Sequence, residues 1–231
     1  MAISPAPALP SEKPLSARQR WLSLAEFLLG ASSVILHNVY HRLPNEVPIL
    51  FILGWISIRL RDGGWKAVGL GKPNSWWKTI LCGVVVGVLV IVAGELANSL
   101  GEKIWHTAAN VSSVINDSKA NWKAALSALG LIWTFAAFGE EMGYRGYVLT
   151  RAADVGNRSR LAYLLALLAS SVLFGYGHYY KGPPGILQST VSGLILGGAY
   201  LLSGRNLWIP ILAHGCADTI AIVAVFFGWA N

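Results

Sequence analysis

The chain has 231 residues, of which 54% are hydrophobic and only 13% charged, with ten tryptophans and a positive mean hydropathy. Soluble domains carry roughly 25% charged residues, so this composition excludes an ordinary soluble enzyme and points to an all-α, polytopic integral membrane protein. A net charge of +7 would suggest nucleic acid in a soluble protein. No long basic run or basic–aromatic motif accompanies it, so no nucleic-acid partner is expected and the charge is assigned to loops facing anionic lipid.

Residues 1–20 (MAISPAPALPSEKPLSARQR) are rich in Pro, Ala and Ser and lack the apolar centre of a signal peptide. They read as a flexible tail, followed by a single transmembrane helical domain at 21–231. Two apolar runs, 21–36 and 47–60, are short for a straight span; Glu26 interrupts the first, and Pro48 and Arg59 bound the second. Longer runs follow at 79–99, from about Ala124 onward, and at 161–177, 185–203 and 207–228. The expected total is about seven transmembrane helices, with six and eight as neighbouring counts. Trp76 and Trp77 beside Lys78 read as an interfacial anchor at a helix start. With alternating spans, Lys13, Arg18, Arg20, Arg59, Arg61, Lys66, Lys72, Lys78, Arg151, Arg158, Arg160 and Arg205 fall on one side. Arg42, Lys103, Lys119, Lys123 and Lys181 fall on the other. That asymmetry predicts a cytoplasmic N-terminus in a plasma (inner) membrane. Cys82 and Cys216 are far apart and form no CxxC pair, so neither a disulfide framework nor a thiolate metal site is expected.

An ionisable group within an apolar span costs a few kcal/mol, about 2.5–3.5 on insertion scales, and is a functional candidate by default. Three clusters stand out in the C-terminal half. In FGEEMGYRGY, Glu141 and Arg145 are spaced i,i+4 and can pair. Glu140 lies about 100° around the helix without a local partner, which suits a general base. In FGYGH, Phe174 lies one turn before His178; in HGCAD, His214 and Asp218 are again i,i+4. Each cluster alone is compatible with a solvated helix end or a polar clamp between helices. Together they form a set able to activate water and stabilise an oxyanion, with or without a metal.

The ordered motifs EEMGYR, FGYGH and HGCAD fit the pattern EExxxR, FxxxH, HxxxN/D. The chain thereby resembles the CPBP family of intramembrane endopeptidases, also called the CAAX prenyl protease or Abi family, over about residues 124–228. The resemblance implies hydrolysis of a peptide bond in a membrane-associated protein or peptide. Glu140 would be the base that activates water, assisted by His178. His214 and Asp218 would orient the scissile carbonyl or stabilise its oxyanion, and Glu141 with Arg145 would hold the geometry. The family's members have been described both as metalloproteases and as metal-independent proteases. Glu140, His178, His214 and Asp218 are therefore also candidate ligands for a divalent metal such as zinc, and the sequence leaves the cofactor open. Motifs of other intramembrane proteases (HExxH, GxGD, GxSG) are absent. The rival classes are a proton-coupled transporter or channel and a non-catalytic immunity-type protein of the same fold. For Glu140, His178 and His214 to meet at one depth, the glutamate helix must continue to about Thr150. The span ending in GYGH must also be tilted or broken.

Overall fold

The structure is a computed structural model that describes residues 14–110 and 112–229. Seven helices of 16 residues or more carry the fold: α1 (Ala17–Asn38), α2 (Glu46–Arg61), α3 (Trp76–Trp105), α4 (Trp122–Val155), α5 (Arg160–Tyr176), α6 (Gly182–Leu202) and α7 (Trp208–Phe226). No strand occurs among the described residues, so the all-α expectation is borne out. Five of the seven start on a Ser or Asn whose side chain accepts a backbone N–H of the first turn, namely Ser16, Asn45, Ser75, Asn121 and Ser159. Helix α6 instead begins with prolines at its first positions, where the missing N–H costs nothing. At α1 the cap is reciprocal. Gln19 N–H donates to Ser16 Oγ at 3.3 Å, and Ser16 N–H donates to the Gln19 side chain at 2.8 Å. This capping box starts the helix at Ala17, so residues 17–20, expected in the tail, are its first turn. Residues 1–13 of that tail lie outside the described residues.

Four helices are long and apolar enough to cross a membrane by length and composition: α3, α4, α6 with the turn before it, and α7. The other three fall short for identifiable reasons. Helix α1 carries Arg18, Arg20 and Glu26. At 16 and 17 residues, α2 and α5 reach only about 25 Å against a hydrocarbon core of about 30 Å. The outward faces carry exposed Val84, Val85, Val88, Leu89 and Val92 on α3 and Leu161, Leu164 and Leu165 on α5. Small residues line the inward face of α3. A Cβ at Gly83 would stand 2.7 Å from Leu212 Cβ, and one at Gly87 2.9 Å from the Ala213 carbonyl oxygen. Close backbone approach of this kind, through small residues, is how helices associate where lipid removes the hydrophobic drive between them.

The two ends of the bundle are chemically unlike. At one end, Arg151 and Asp154 near the end of α4 are fully buried. Arg151 pairs with Asp154 (2.7 Å), with Glu26 of α1 (3.0 Å) and with Asp62 just beyond α2. Arg61 reaches Glu26 at 2.5 Å, and Arg158 bridges Asp62 at 2.9 Å and Asp154 at 2.5 Å. Ser57 and Ser23 fill remaining positions, donating to Glu26 (2.9 Å) and Asp154 (3.0 Å). Three arginines and three carboxylates thus neutralise one another. Glu26, which interrupted the first apolar run, is a member of this network, paired with Arg61 just past the second run. The same end holds the start of α5 and the α6–α7 turn, since Arg205 donates to the Tyr163 hydroxyl at 3.2 Å. The cations predicted on the N-terminal side therefore gather at one end of the bundle, apart from Lys13, which lies outside the described residues.

Replacing Arg151 with Ala would leave Asp154 and Asp62 with fewer countercharges in a buried setting. A loss of about 3–5 kcal/mol is expected, read as a lowered unfolding midpoint in detergent, with Arg151→Lys retaining part of the stability.

Candidate active site

The second polar centre lies midway along α4. This helix departs from regular α geometry over Ile132–Glu140 and Met142–Leu149, two π-helical stretches meeting at Glu141. Such wide turns are rare and concentrate at functional sites. The stretch packs on α2 through small residues: a Cβ at Gly139 would lie 3.0 Å from Val47 Cγ1, and one at Gly143 3.0 Å from Leu50 Cβ. Glu141 through Thr150 are all buried. As the sequence required, α4 runs past Thr150, to Val155.

Glu141 is fully buried, and its Oε1 accepts from Arg145 Nη1 and from His214 Nδ1, each at 2.9 Å. The i,i+4 spacing predicted the first contact; the second crosses to α7 and had no local signal. Arg145 also donates to the Gly193 carbonyl of α6 at 3.2 Å, and its guanidinium lies 4.4 Å from the centre of the Phe174 ring. His214 turns its other nitrogen, Nε2, toward Asp218 Oδ2 at 3.4 Å. An imidazole facing carboxylate oxygens on both sides donates at both nitrogens only in its imidazolium form. Arg145, Glu141, His214 and Asp218 are thus one continuous chain.

His178 joins this chain through Phe174. The two rings lie 4.8 Å apart, and Phe174 stands edge-on to His214 at 5.9 Å and to Tyr144 at 5.1 Å. The His178 Nδ1 lies 2.9 Å from the Phe174 carbonyl oxygen. A carbonyl can only accept, so Nδ1 carries the proton and a neutral His178 presents Nε2 as an unprotonated acceptor. The depth requirement is met by a break rather than a tilt. Helix α5 stops at Tyr176, and His178 sits in the turn before α6. Running back alongside α4 from the charged end, 17 residues cover about 25 Å, close to the roughly 21 Å that separate Val155 from Glu141. Asn110, in the segment after α3, ties this turn down. Its side chain donates to the Tyr180 carbonyl at 2.9 Å and its N–H to the Lys181 carbonyl at 3.0 Å.

A cavity of about 610 Å³ opens between α3, α6 and α7. His178, His214, Asp218 and Lys181 line it, as do Glu95 and Gln188, whose side chains are hydrogen-bonded to each other at 3.3 Å. Glu140 is not among the lining residues. Its Oε2 is buried without a hydrogen-bond partner, although the carboxylate is near enough to His214 and Asp218 to feel their charges. Five of the six predicted site residues are therefore joined by direct contacts or through Phe174, and Glu140 stands beside them unpartnered. Two further groups went unrecognised in the sequence. Glu46, at the start of α2, is buried and faces His37 Nε2 at 3.4 Å. The Tyr144 hydroxyl is buried without a hydrogen-bond partner. A Cβ at Gly177 would lie 2.5 Å from that hydroxyl and 3.3 Å from Glu46 Oε1, so both groups crowd the turn that carries His178. The only sequence signals were an acid at the edge of an apolar run and a tyrosine between the two halves of EExxxR.

Glu140, His178, His214 and Asp218 do not form a metal-binding group as arranged. No set of three or more His, Cys, Asp or Glu side chains is placed to hold an ion among the described residues. Chemically, both nitrogens of His214 are engaged by carboxylates, which leaves it no lone pair to offer.

The fold and this centre define a helical integral membrane protein with a buried glutamate–arginine–histidine–aspartate site. Residues 121–220 match the family model described as type II CAAX prenyl endopeptidase Rce1-like, a match over somewhat less than half of the chain that supports the resemblance to the CPBP/CAAX protease family. At the level of the family, the match supports a CAAX-type intramembrane endopeptidase. Neither the curated proteins nor the solved structures yield a match.

Replacing Glu141 with Gln would leave Arg145, 1% exposed, without its countercharge. A destabilisation of about 3–5 kcal/mol is expected, measured by thermal unfolding in detergent. The double change Glu141→Gln with Arg145→Met should recover part of it, because the uncompensated charge is then gone.

Proposed function

We propose that the protein is an intramembrane endopeptidase in which Glu140 and His178 activate a water for attack on a peptide bond of a membrane-associated protein or peptide. One observation carries the reading: of the two adjacent glutamates, Glu141 is held through Oε1 by Arg145 and His214, with only its Oε2 left without a partner, whereas Glu140 makes no hydrogen bond or ion pair at all among the described residues. The first is committed to structure, and the second is free to exchange a proton.

In this reading the substrate enters the cavity beside His178, His214 and Asp218. A water next to His178 Nε2 meets an acceptor whose tautomer is held by the Phe174 carbonyl. Glu140 takes the water proton as the oxygen attacks the scissile carbonyl carbon. Charge then develops on the carbonyl oxygen. His214 Nε2–H, whose contact with Asp218 is a long 3.4 Å, can turn its donor to that oxyanion, and fixed donors of this kind are the largest single term in acyl-transfer catalysis. Collapse of the tetrahedral intermediate breaks the C–N bond, and the proton held by Glu140 passes to the leaving amine. Because Glu140 is outside the cavity lining, the productive state requires its carboxylate to reach the water, a small side-chain movement toward His214. The same reading has the N-terminus on the cytoplasmic side of the plasma membrane, as the charge asymmetry predicts, and treats the chain beyond the tail as one transmembrane domain.

Glu140→Gln and His178→Ala, each reconstituted in proteoliposomes with a cleavable membrane peptide, should each lower kcat by about 10²–10⁴-fold. The unfolding midpoint should change little in either case. Wild-type turnover in both variants would refute the assignment.

A further inference from the structure

At the charged end of the bundle, away from the active-site cavity, a second cleft of about 390 Å³ lies between the segment joining α2 to α3 and the turn joining α6 to α7. Its cationic lining is Lys66, Lys72, Lys78 and Arg205, and no carboxylate among the described residues lines it. Arg205 is engaged by the Tyr163 hydroxyl. The three lysines are exposed, and none has an ion-pair partner among the described residues. This contrasts with the neighbouring network, where three arginines meet three acids. Unscreened lysines gathered in one concavity repel one another, an arrangement that a bound anion relieves.

The cleft is built rather than incidental. The Leu207 N–H donates to the Gly69 carbonyl at 3.1 Å, Trp208 Nε1 to the Gly71 carbonyl at 3.0 Å, the Tyr200 hydroxyl to the Val68 carbonyl at 2.8 Å, and Asn206 Nδ2 to Thr79 Oγ1 at 3.1 Å. Gly69 is the pivot of this clamp. Its φ of +97° is costly for other residues, and a Cβ there would lie 1.7 Å from the Arg205 carbonyl oxygen. A frame tied at four points holds the lysines near one another before any ligand arrives, which lowers the entropy lost on binding. Trp76 and Trp77 are exposed beside the cleft, and Trp76 packs on Trp208 at 5.3 Å. Tryptophans so placed mark the level of lipid headgroups. A concavity of lysines at that level faces the phosphates of the bilayer.

We propose that this cleft binds the phosphate of an anionic phospholipid headgroup. The full chain would be placed in nanodiscs of phosphatidylcholine with a minor fraction of phosphatidylglycerol, and the lipids that stay bound would be identified by native mass spectrometry. The wild-type protein should retain phosphatidylglycerol in preference to phosphatidylcholine. Each of Lys66→Gln, Lys72→Gln and Lys78→Gln should lower that preference by about fivefold, and the triple variant should abolish it. Lys103→Gln with Lys123→Gln, at the other end of the bundle, should leave it unchanged. All the substituted side chains are exposed, and unfolding midpoints in pure phosphatidylcholine should match, which separates lost binding from lost folding. Retention of the preference by the triple variant would overturn the proposal. So would its loss in the Lys103/Lys123 variant, or full displacement of the lipid by inorganic phosphate, which would assign the cleft to a soluble anion.

Discussion

The carboxylate of Glu141, shared between Arg145 and His214 at 2.9 Å each, is the constraint to which the second half of the chain conforms. In a low-dielectric interior an unpaired charge is far more costly than a paired one, so the elements bearing these three groups must meet. Glu141 and Arg145 lie on α4, and His214 lies on α7. Arg145 in turn reaches the Gly193 carbonyl of α6 and the face of Phe174 on α5. One buried ion pair with its neighbours thus addresses four helices. Phe174 serves as the hinge piece: it covers the guanidinium, supports His214 edge-on and, through its carbonyl, holds the tautomer of His178.

The length of α5 follows from the same demand. A helix that crossed the whole bilayer would carry His178 well past Glu141. Stopping after 17 residues, with glycines at 175 and 177 and a turn tied to Asn110, delivers the histidine to the depth of the glutamates. Irregular backbone at that depth is tolerable only where it is buried in protein or lines a cavity, and the 178–182 turn does border one. At the other end of α4, the Arg151–Asp154–Asp62–Glu26 network fixes α1, α2 and the α4–α5 turn. Helix α4 is therefore held at both its polar centres, and its π-helical stretches pack on α2.

What was readable from the sequence divides along the range of the interaction. Hydropathy runs located the starts of all seven helices to within about four residues, because burial in lipid imposes long apolar segments. Spacing of i,i+4 foretold Glu141 with Arg145 and His214 with Asp218, because both partners sit on one helix. The bond from Glu141 to His214 spans 73 residues and depends on how α4 and α7 pack, which no local pattern encodes. Glu26 was read as an interruption for the same reason, since its partners Arg61 and Arg151 lie on other helices, Arg61 being 35 residues away. The start of α1 was missed although its signal was local; the Ser16–Gln19 box lies inside a stretch whose proline and serine content argues for a tail.

The two polar centres also explain why Glu140 is the informative residue. Glu26, Asp62 and Asp154 each face an arginine; Glu141 faces an arginine and a histidine; Asp218 and Glu46 each face a histidine. Glu140, by contrast, has no hydrogen bond or ion pair at either carboxylate oxygen among the described residues, whereas Glu141 leaves only its Oε2 without one. Native structures satisfy nearly all buried polar atoms, and a bundle that solves this problem six times over has the means to solve it once more. Helix α4 instead places the unsatisfied acid directly beside the most tightly held one. The stability supplied by Glu141 and its partners is what allows the neighbouring position to keep a costly, unpaired group. A carboxylate kept in that state can trade its proton with a water or with a leaving amine at little cost to the fold, which is the property a general base requires.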